Sequence, residues 1–462
     1  MTSHEVARRP RRPARAALRS ALLAAAALPL VAGAAAAQLG SFNPLPGPHG
    51  VYAIRNARIV TVAGPVIERG NVVIGADGKI QAVGADAAIP AGAQTLDGTG
   101  MTVFPGMMDA GTTMGLAEIP QGANATMDAT EVGTFNPNVQ AFYAINPHSA
   151  HIAVTRVVGI TQVVSRPTGG ILSGQAALIQ LAGDTPPQMA LVPQVALAVT
   201  LPRSGFAGRG FGRGGGFNPA GGTQEAERAR TLQLDSLRAM LRDAEAYMKA
   251  QEAYAKNSAL PRPAHDVVLA SLGPVLRGEM PVLFSADQAS DIRASVDFAV
   301  ENHLKAIILG GHDAPEVADL LKRHDVPVVL TGVMSLPSGE DDPYDANYSL
   351  PAKLAAAGVR FAIASGEDGA EARNLPYVAG MAASFGLAKD EALKAVTLYP
   401  AQIFGIGAQV GSIEVGKRAN LVMLDGDMLE ARSNTKALFI DGRPVPLDSK
   451  HTYLYEIFKD RK

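Results

Sequence analysis

Val103-Phe104-Pro105-Gly106-Met107-Met108-Asp109-Ala110-Gly111-Thr112-Thr113-Met114-Gly115-Leu116 is the stretch on which the fold turns. An apolar run stops at Pro105-Gly106, resumes through Met107 and Met108, and passes Asp109-Ala110 into a turn rich in glycine and threonine. Buried barrel strands emerge in this way at the face where they end, the face that carries chemistry in (β/α)8 proteins. The stretch therefore predicts a first barrel strand over 102–109 with Asp109 and Thr113 near its rim.

Outward from it, short apolar runs recur at 160–165, 176–181, 195–200, 281–285, 305–310, 326–330 and 360–364. Continuous apolar runs of this length suit strands covered on both faces. After Pro281, DIRASVDFAVENH and APEVADLLKRH carry helical spacing and lead into further strands, the grammar of βαβ units. Eight strands alternating with helices predict a (β/α)8, TIM-like barrel over 102–408.

The flanks read differently. Residues 51–101 hold short β-rich pieces with a turn at Gly64-Pro65 and a hairpin signal at Asp77-Gly78. GSIEVGKRANLVMLDGD and KALFIDGRPV repeat that pattern within 409–447. A lone hairpin is marginal in water, so the two ends are expected to combine into one small β-sandwich. An insertion at 203–222, RSGFAGRGFGRGGGFNPAGG, precedes an amphipathic helix expected over 223–256. Its arginines and phenylalanines have the chemistry to bind RNA, but a mobile loop at the barrel mouth is the better reading for an acidic chain.

The first residues carry Arg8, Arg9, Arg11, Arg12, Arg15 and Arg19, followed by an Ala/Leu run ending in Ala35-Ala36-Ala37. This predicts a signal peptide over 1–37 and an exported, periplasmic or extracellular protein; the choice between the general and twin-arginine routes stays open. A retained anchor is the competing reading, disfavoured by Pro29 and Gly33 within the run and by its weakly apolar alanines. Without six arginines and one glutamate, the 41 basic and 43 acidic residues become 35 and 42, a net charge of −7. No nucleic-acid partner is expected. The chain has no cysteine, hence no disulfide and no thiol nucleophile.

Residues 372–427, ARNLPYVAGMAASFGLAKDEALKAVTLYPAQIFGIGAQVGSIEVGKRANLVMLDGD, together with the 103–116 stretch, resemble the amidohydrolase superfamily, nearest its imidazolonepropionase-like group. The resemblance implies a metal-dependent hydrolase of carbon-nitrogen bonds other than peptide bonds. It also implies where the metal ligands would stand: a His-x-His pair at Gly111 and Thr113, a Lys or Glu in QVALAVT, a His at Ser285, a His after the sixth strand and an Asp near Ser365-Gly366. Nearly every one of those positions lacks the expected residue. His312 follows the sixth strand but lies beyond Gly310-Gly311. No zinc or other cofactor is expected unless a non-standard site exists; the rim candidates are Asp109, Thr113, Asp287, His312, Asp313, Glu367, Asp368 and Arg373.

Other polar residues read as structural. Ser173 lies in a glycine-rich turn with no base beside it, and His148 and His151 decorate a helix starting near Pro147. His265, His303 and His324 lie beside helix ends. Two functions are consistent with these residues. One is an exported hydrolase of carbon-nitrogen bonds whose catalytic residues the sequence does not identify. The other is a degenerate family member that binds a small molecule, or pairs with itself or with an active relative as a homo- or hetero-oligomer.

Overall fold

The computed structural model describes residues 43–119, 124–202, 222–337 and 342–461. The expected signal peptide and the Gly/Arg-rich tract up to residue 221 lie outside the described residues. Asn43 to Lys462 form one compact unit. No described helix is long and apolar enough to cross a membrane.

One sheet draws on both ends of the chain. β1 (Tyr52–Ile59), β2 (Ile67–Ile74), β3 (Ile80–Gly84), β4 (Gln94–Asp97) and β5 (Thr102–Pro105) join β14 (Leu421–Leu424), β15 (Thr435–Ile440) and β16 (Arg443–Pro444) in the order β16-β15-β14-β5-β1-β2-β3, with β4 also paired to β1. β5 is the junction: it runs parallel to β1 and antiparallel to β14, with Val103 opposite Met423 and Phe104 opposite Val422. Ile54, Ile59, Ile74, Ile80, Val103, Leu421 and Phe439 form its core. The β2–β3 hairpin turns through Gly78, whose φ of 77° is the left-handed conformation that Asp-Gly turns supply.

The first expected barrel strand is two strands. Gly106 separates β5 from β6 (Met107–Thr112), handing the chain from one sheet to the other. Its amide donates to the Asn420 carbonyl, and a Cβ there would lie 2.1 Å from Thr161 Oγ1, so only glycine fits the crossing.

β6, β7 (Ile160–Ser165), β8 (Leu172–Gln180), β9 (Ala190–Val199), β10 (Val282–Ala286), β11 (Ala306–Gly310), β12 (Val328–Leu330) and β13 (Phe361–Ile363) form the second eight-stranded sheet in sequence order, a nearly closed barrel. Every expected barrel strand is present, but alternation with helices fails once. β7, β8 and β9 form an antiparallel meander, so β8 alone runs against the rest. The connections 166–171 and 181–189 explain this, because a parallel crossover needs a dozen or more residues. From β9 onward the pairing is parallel.

Met108, Ala110, Val164, Leu178, Leu283, Ile307, Leu309, Val329 and Ala362 fill the barrel, plugged by Phe404, Ile406 and Val410. The principal helices are α1 (Ala150–Arg156), α2 (Gly222–Lys256), α3 (Ala289–Glu301), α4 (Ala318–Arg323), α5 (Leu350–Ala357), α6 (Leu375–Ser384), α7 (Lys389–Ala395), α8 (Leu398–Ile403) and α9 (Lys450–Phe458). α2 buries Leu237, Leu241 and Ala244, spaced four and three residues apart along one face. Arg156, wholly buried in α1, donates to the carbonyls of Leu181 and Pro44 and so ties the segment before β1 to the β8–β9 connection. Burial pushes its pKa down to about 10, which leaves it charged at neutral pH.

Candidate functional site

The rim candidates separate into two groups on the face where the barrel strands end. Asp287, His312 and Asp313 come together in a cleft of about 570 Å³ above β10, β11 and β12, with Asp291, Asp342 and Asn347 also lining it. Gly310 and Gly311, with φ of 112° and 77°, turn the chain sharply at the end of β11 and let Asp287 lie against the turn. The Asp313 amide donates to the Asp287 carbonyl, and the Gly311 amide to that of Ala286. Asn347 Nδ2 donates to the carbonyls of Ser335 and Leu336 and fixes the loop on the far side.

Within the cleft, Asp313 holds His312. One carboxylate oxygen lies 2.7 Å from His312 Nδ1, and the other accepts the Ala289 amide at the start of α3. A carboxylate on Nδ1 favours the tautomer with its proton there, leaving Nε2 as an acceptor. That Nε2 is buried and has no hydrogen-bond partner among the described residues. Sequence reasoning missed Asp291, Asp342 and Asn347, whose positions depend on helix starts and loops rather than on strand ends.

Asp109, Thr113 and Glu367 do not belong to this cleft. They close the barrel where β6 meets the chain leaving β13. Asp109 is fully buried; its carboxylate accepts the amides of Ser365 and Gly111 and bonds the Ser365 hydroxyl. Burial, partly offset by those donors, pushes its pKa up to about 6. The Thr113 amide and hydroxyl both donate to the Glu367 carbonyl, at 2.8 and 3.0 Å. The Glu367 side chain pairs at 3.2 Å with Arg166, a nearly buried residue at the end of β7 that the sequence did not single out. Burial lowers the Arg166 pKa and Glu367 partly restores it. Asp109 and Thr113, expected to face a rim pocket, thus serve the barrel wall, because side chains here must replace a missing ladder. Asp368 accepts the Ala370 amide in a tight turn, and Arg373 is half-buried in the helical turn Ala372–Asn374.

The metal that the resemblance implies does not fit the residues at the positions it assigns. A Cβ at Gly111 would lie 2.9 Å from Leu309 Cδ1, so a leucine from β11 reaches across to the first ligand position. Ser285 is the penultimate residue of β10, Ser365 bonds Asp109, and no cluster of three or more His, Cys, Asp or Glu suited to a metal exists among the described residues. His148 and His151 diverge: His148 precedes α1 and lies 3.7 Å from Asp184, whereas His151 contacts the Glu118 carbonyl. Ser173 is buried within β8. His303 and His324 follow α3 and α4, and His265 precedes the helical turn capped by Asp266.

A second cavity, about 290 Å³, lies near Arg360 and Phe361 where β13 begins, beside Glu391 and Tyr399. Tyr399 donates to Glu391, and burial, aided by that carboxylate, pushes its pKa up to about 12. This is the face that serves stability in such barrels.

Comparison with known proteins agrees with this architecture. The amidohydrolase family profile matches residues 305–445. A 54-residue stretch is 48% identical to imidazolonepropionase of Syntrophobacter fumaroxidans, covering 12% of this chain and 13% of that protein. A 41-residue stretch is 54% identical to N-substituted formamide deformylase of Arthrobacter pascens, covering 9% and 8%. The matches therefore span about an eighth or less of these relatives. The crystal structure of an amidohydrolase from Thermotoga maritima superposes with a TM-score of 0.74 at 24% identity, over 86% of this chain and 99% of that one, which establishes the shared fold. Residues 305–445 are thus similar to the amidohydrolase family, within a fold that the chain shares with a solved amidohydrolase.

Proposed function

We propose that this protein hydrolyses a carbon-nitrogen bond other than a main-chain peptide bond, in the cleft above β10 to β12, with His312 and Asp313 in place of a metal centre. The observation that carries this reading is the fixed Asp313–His312 pair on the face where such barrels do chemistry. Asp313 orients the ring and stabilises the imidazolium that forms when Nε2 takes a proton from water. The water oxygen bonds to the acyl carbon, the carbon-nitrogen bond breaks, and the imidazolium returns its proton to the departing nitrogen. Nε2 is buried, so the cleft must open for water to reach it. The matched deformylase makes simple N-substituted formamides the first substrates to assay.

A second reading is a binding protein that has lost catalysis, and Leu309 reaching across to Gly111 favours it. Hydrolysis of a panel of formamides and amides, with and without chelator, separates the two. The hydrolase reading expects turnover that survives chelation and falls on the order of a hundredfold or more in His312→Gln. Chelator-sensitive turnover contradicts the metal-independent mechanism. Absence of turnover, combined with thermal stabilisation by a panel compound, establishes the binding reading instead.

A further inference from the structure

At the barrel mouth a buried cation meets an exposed anion. The side chain of Arg166 is 10% exposed, whereas that of Glu367, its partner at 3.2 Å, is 61% exposed. Val164, two residues earlier, fills the barrel, and strand alternation places Arg166 on the same inner side, above that core. Next to Glu367, Gly366 has open space where a Cβ would stand. The Glu367 side chain thus marks a line of approach from solvent to the guanidinium. Its hold there is incomplete. A guanidinium binds a carboxylate best side-on, through Nε and one Nη together. Arg277 does so in this protein, with Nε and Nη2 each donating at 2.8 Å to the two oxygens of Glu279. Arg166 meets Glu367 through Nη2, but its Nε is buried and has no hydrogen-bond partner among the described residues. A buried donor left unmet is costly, and an exposed acid gains little from an ion pair for which it gives up side-chain freedom.

We propose that Arg166 anchors a ligand site at the barrel mouth, which takes the carboxylate of a small organic acid in place of Glu367. The incoming carboxylate bonds Nε and Nη2 together, and the Glu367 side chain turns out into solvent. Glu367 itself indicates the ligand class, since the group now held there is a planar carboxylate whose single negative charge balances one guanidinium. The same contact makes Glu367 a built-in competitor, which lowers the apparent affinity for any acid by the fraction of molecules in which it is engaged. Neither residue lines the cleft of His312, so binding at Arg166 needs no turnover there.

Calorimetric titration of the full chain with N-acetylglycine at fixed ionic strength tests the proposal, with N-acetylglycinamide and inorganic phosphate as controls. The wild type should saturate with the acid and not with the amide. Glu367→Gln, which removes the competitor, should bind the acid roughly tenfold or more tightly than the wild type. Without ligand this variant should melt below the wild type, because a buried charge has lost its partner, and the acid should raise its midpoint more than that of the wild type. Arg166→Gln should lose the binding; should it fail to fold, Glu367→Gln still decides. Equal binding of acid and amide, preference for phosphate, or acid binding that persists in folded Arg166→Gln would overturn the proposal. So would an affinity that does not rise in Glu367→Gln, or a wild type that binds no acid at all, since Glu367 would then be a fixed partner of Arg166.

Discussion

Asp109 does not line the cleft, yet its protonation state bears on stability. Its folded pKa of about 6 lies above the ordinary 3.8, so between these values the native carboxyl keeps a proton that the unfolded chain has released. Stability from the neutral form is fully present below about pH 4 and lost as pH rises to about 6, a difference of roughly 3 kcal/mol. Asp109→Asn keeps the shape and the acceptor while removing the titration. Urea midpoints for this variant should be less pH-dependent than wild type across that window and equal or higher at pH 7. An unchanged slope would show that Asp109 is not the group responsible. Asp109→Leu, which leaves the Ser365 and Gly111 amides unanswered, should be less stable than the Asn variant by roughly 2–4 kcal/mol. A companion test concerns the positions at which the resemblance places the first metal ligands. The double variant Gly111→His, Thr113→His should hold no stoichiometric zinc in equilibrium dialysis, because Leu309 obstructs the first position and Ser285 and Ser365 supply no ligand. One tightly bound equivalent would show that the barrel still contains a usable metal cradle.

Gly106 shows how an element boundary depends on a single residue. A methyl group there meets the Thr161 side chain, whose Cβ is 2.8 Å away, so the neighbour cannot simply rotate aside. Gly106→Ala should cost roughly 1–3 kcal/mol by overpacking, read as a lowered thermal midpoint. A neutral outcome would mean that the two sheets separate easily at this crossing. The glycine itself was legible as the end of an apolar run, but the change of sheet was not, since β5 and β6 read as one continuous strand. The meander has a similar explanation: the runs at 176–181 and 195–200 were visible, whereas the direction of β8 depends on connection length, which periodicity does not report. At the site, His312 and Asp313 were legible because glycines mark the end of β11. Arg166 was not, because its importance arises only from contact with Glu367, two hundred residues later in the chain.

At the scale of the whole molecule, the two sheets depend on one another through β5. Truncation before Gln409 removes β14 to β16 and strips β5 of one neighbour, so we expect the shortened chain to be insoluble or to melt without cooperativity; a soluble product with a sharp calorimetric transition would show that the barrel stands alone. The same arrangement sets the timing of biosynthesis. Thr102–Pro105 leaves the ribosome early, but its partner Leu421–Leu424 is made only near the end, so the growing chain carries an open strand edge for most of its synthesis. A ribosome stalled after the barrel but before Leu421 would therefore display a nearly complete protein with one unprotected edge, the state in which this chain most needs a chaperone.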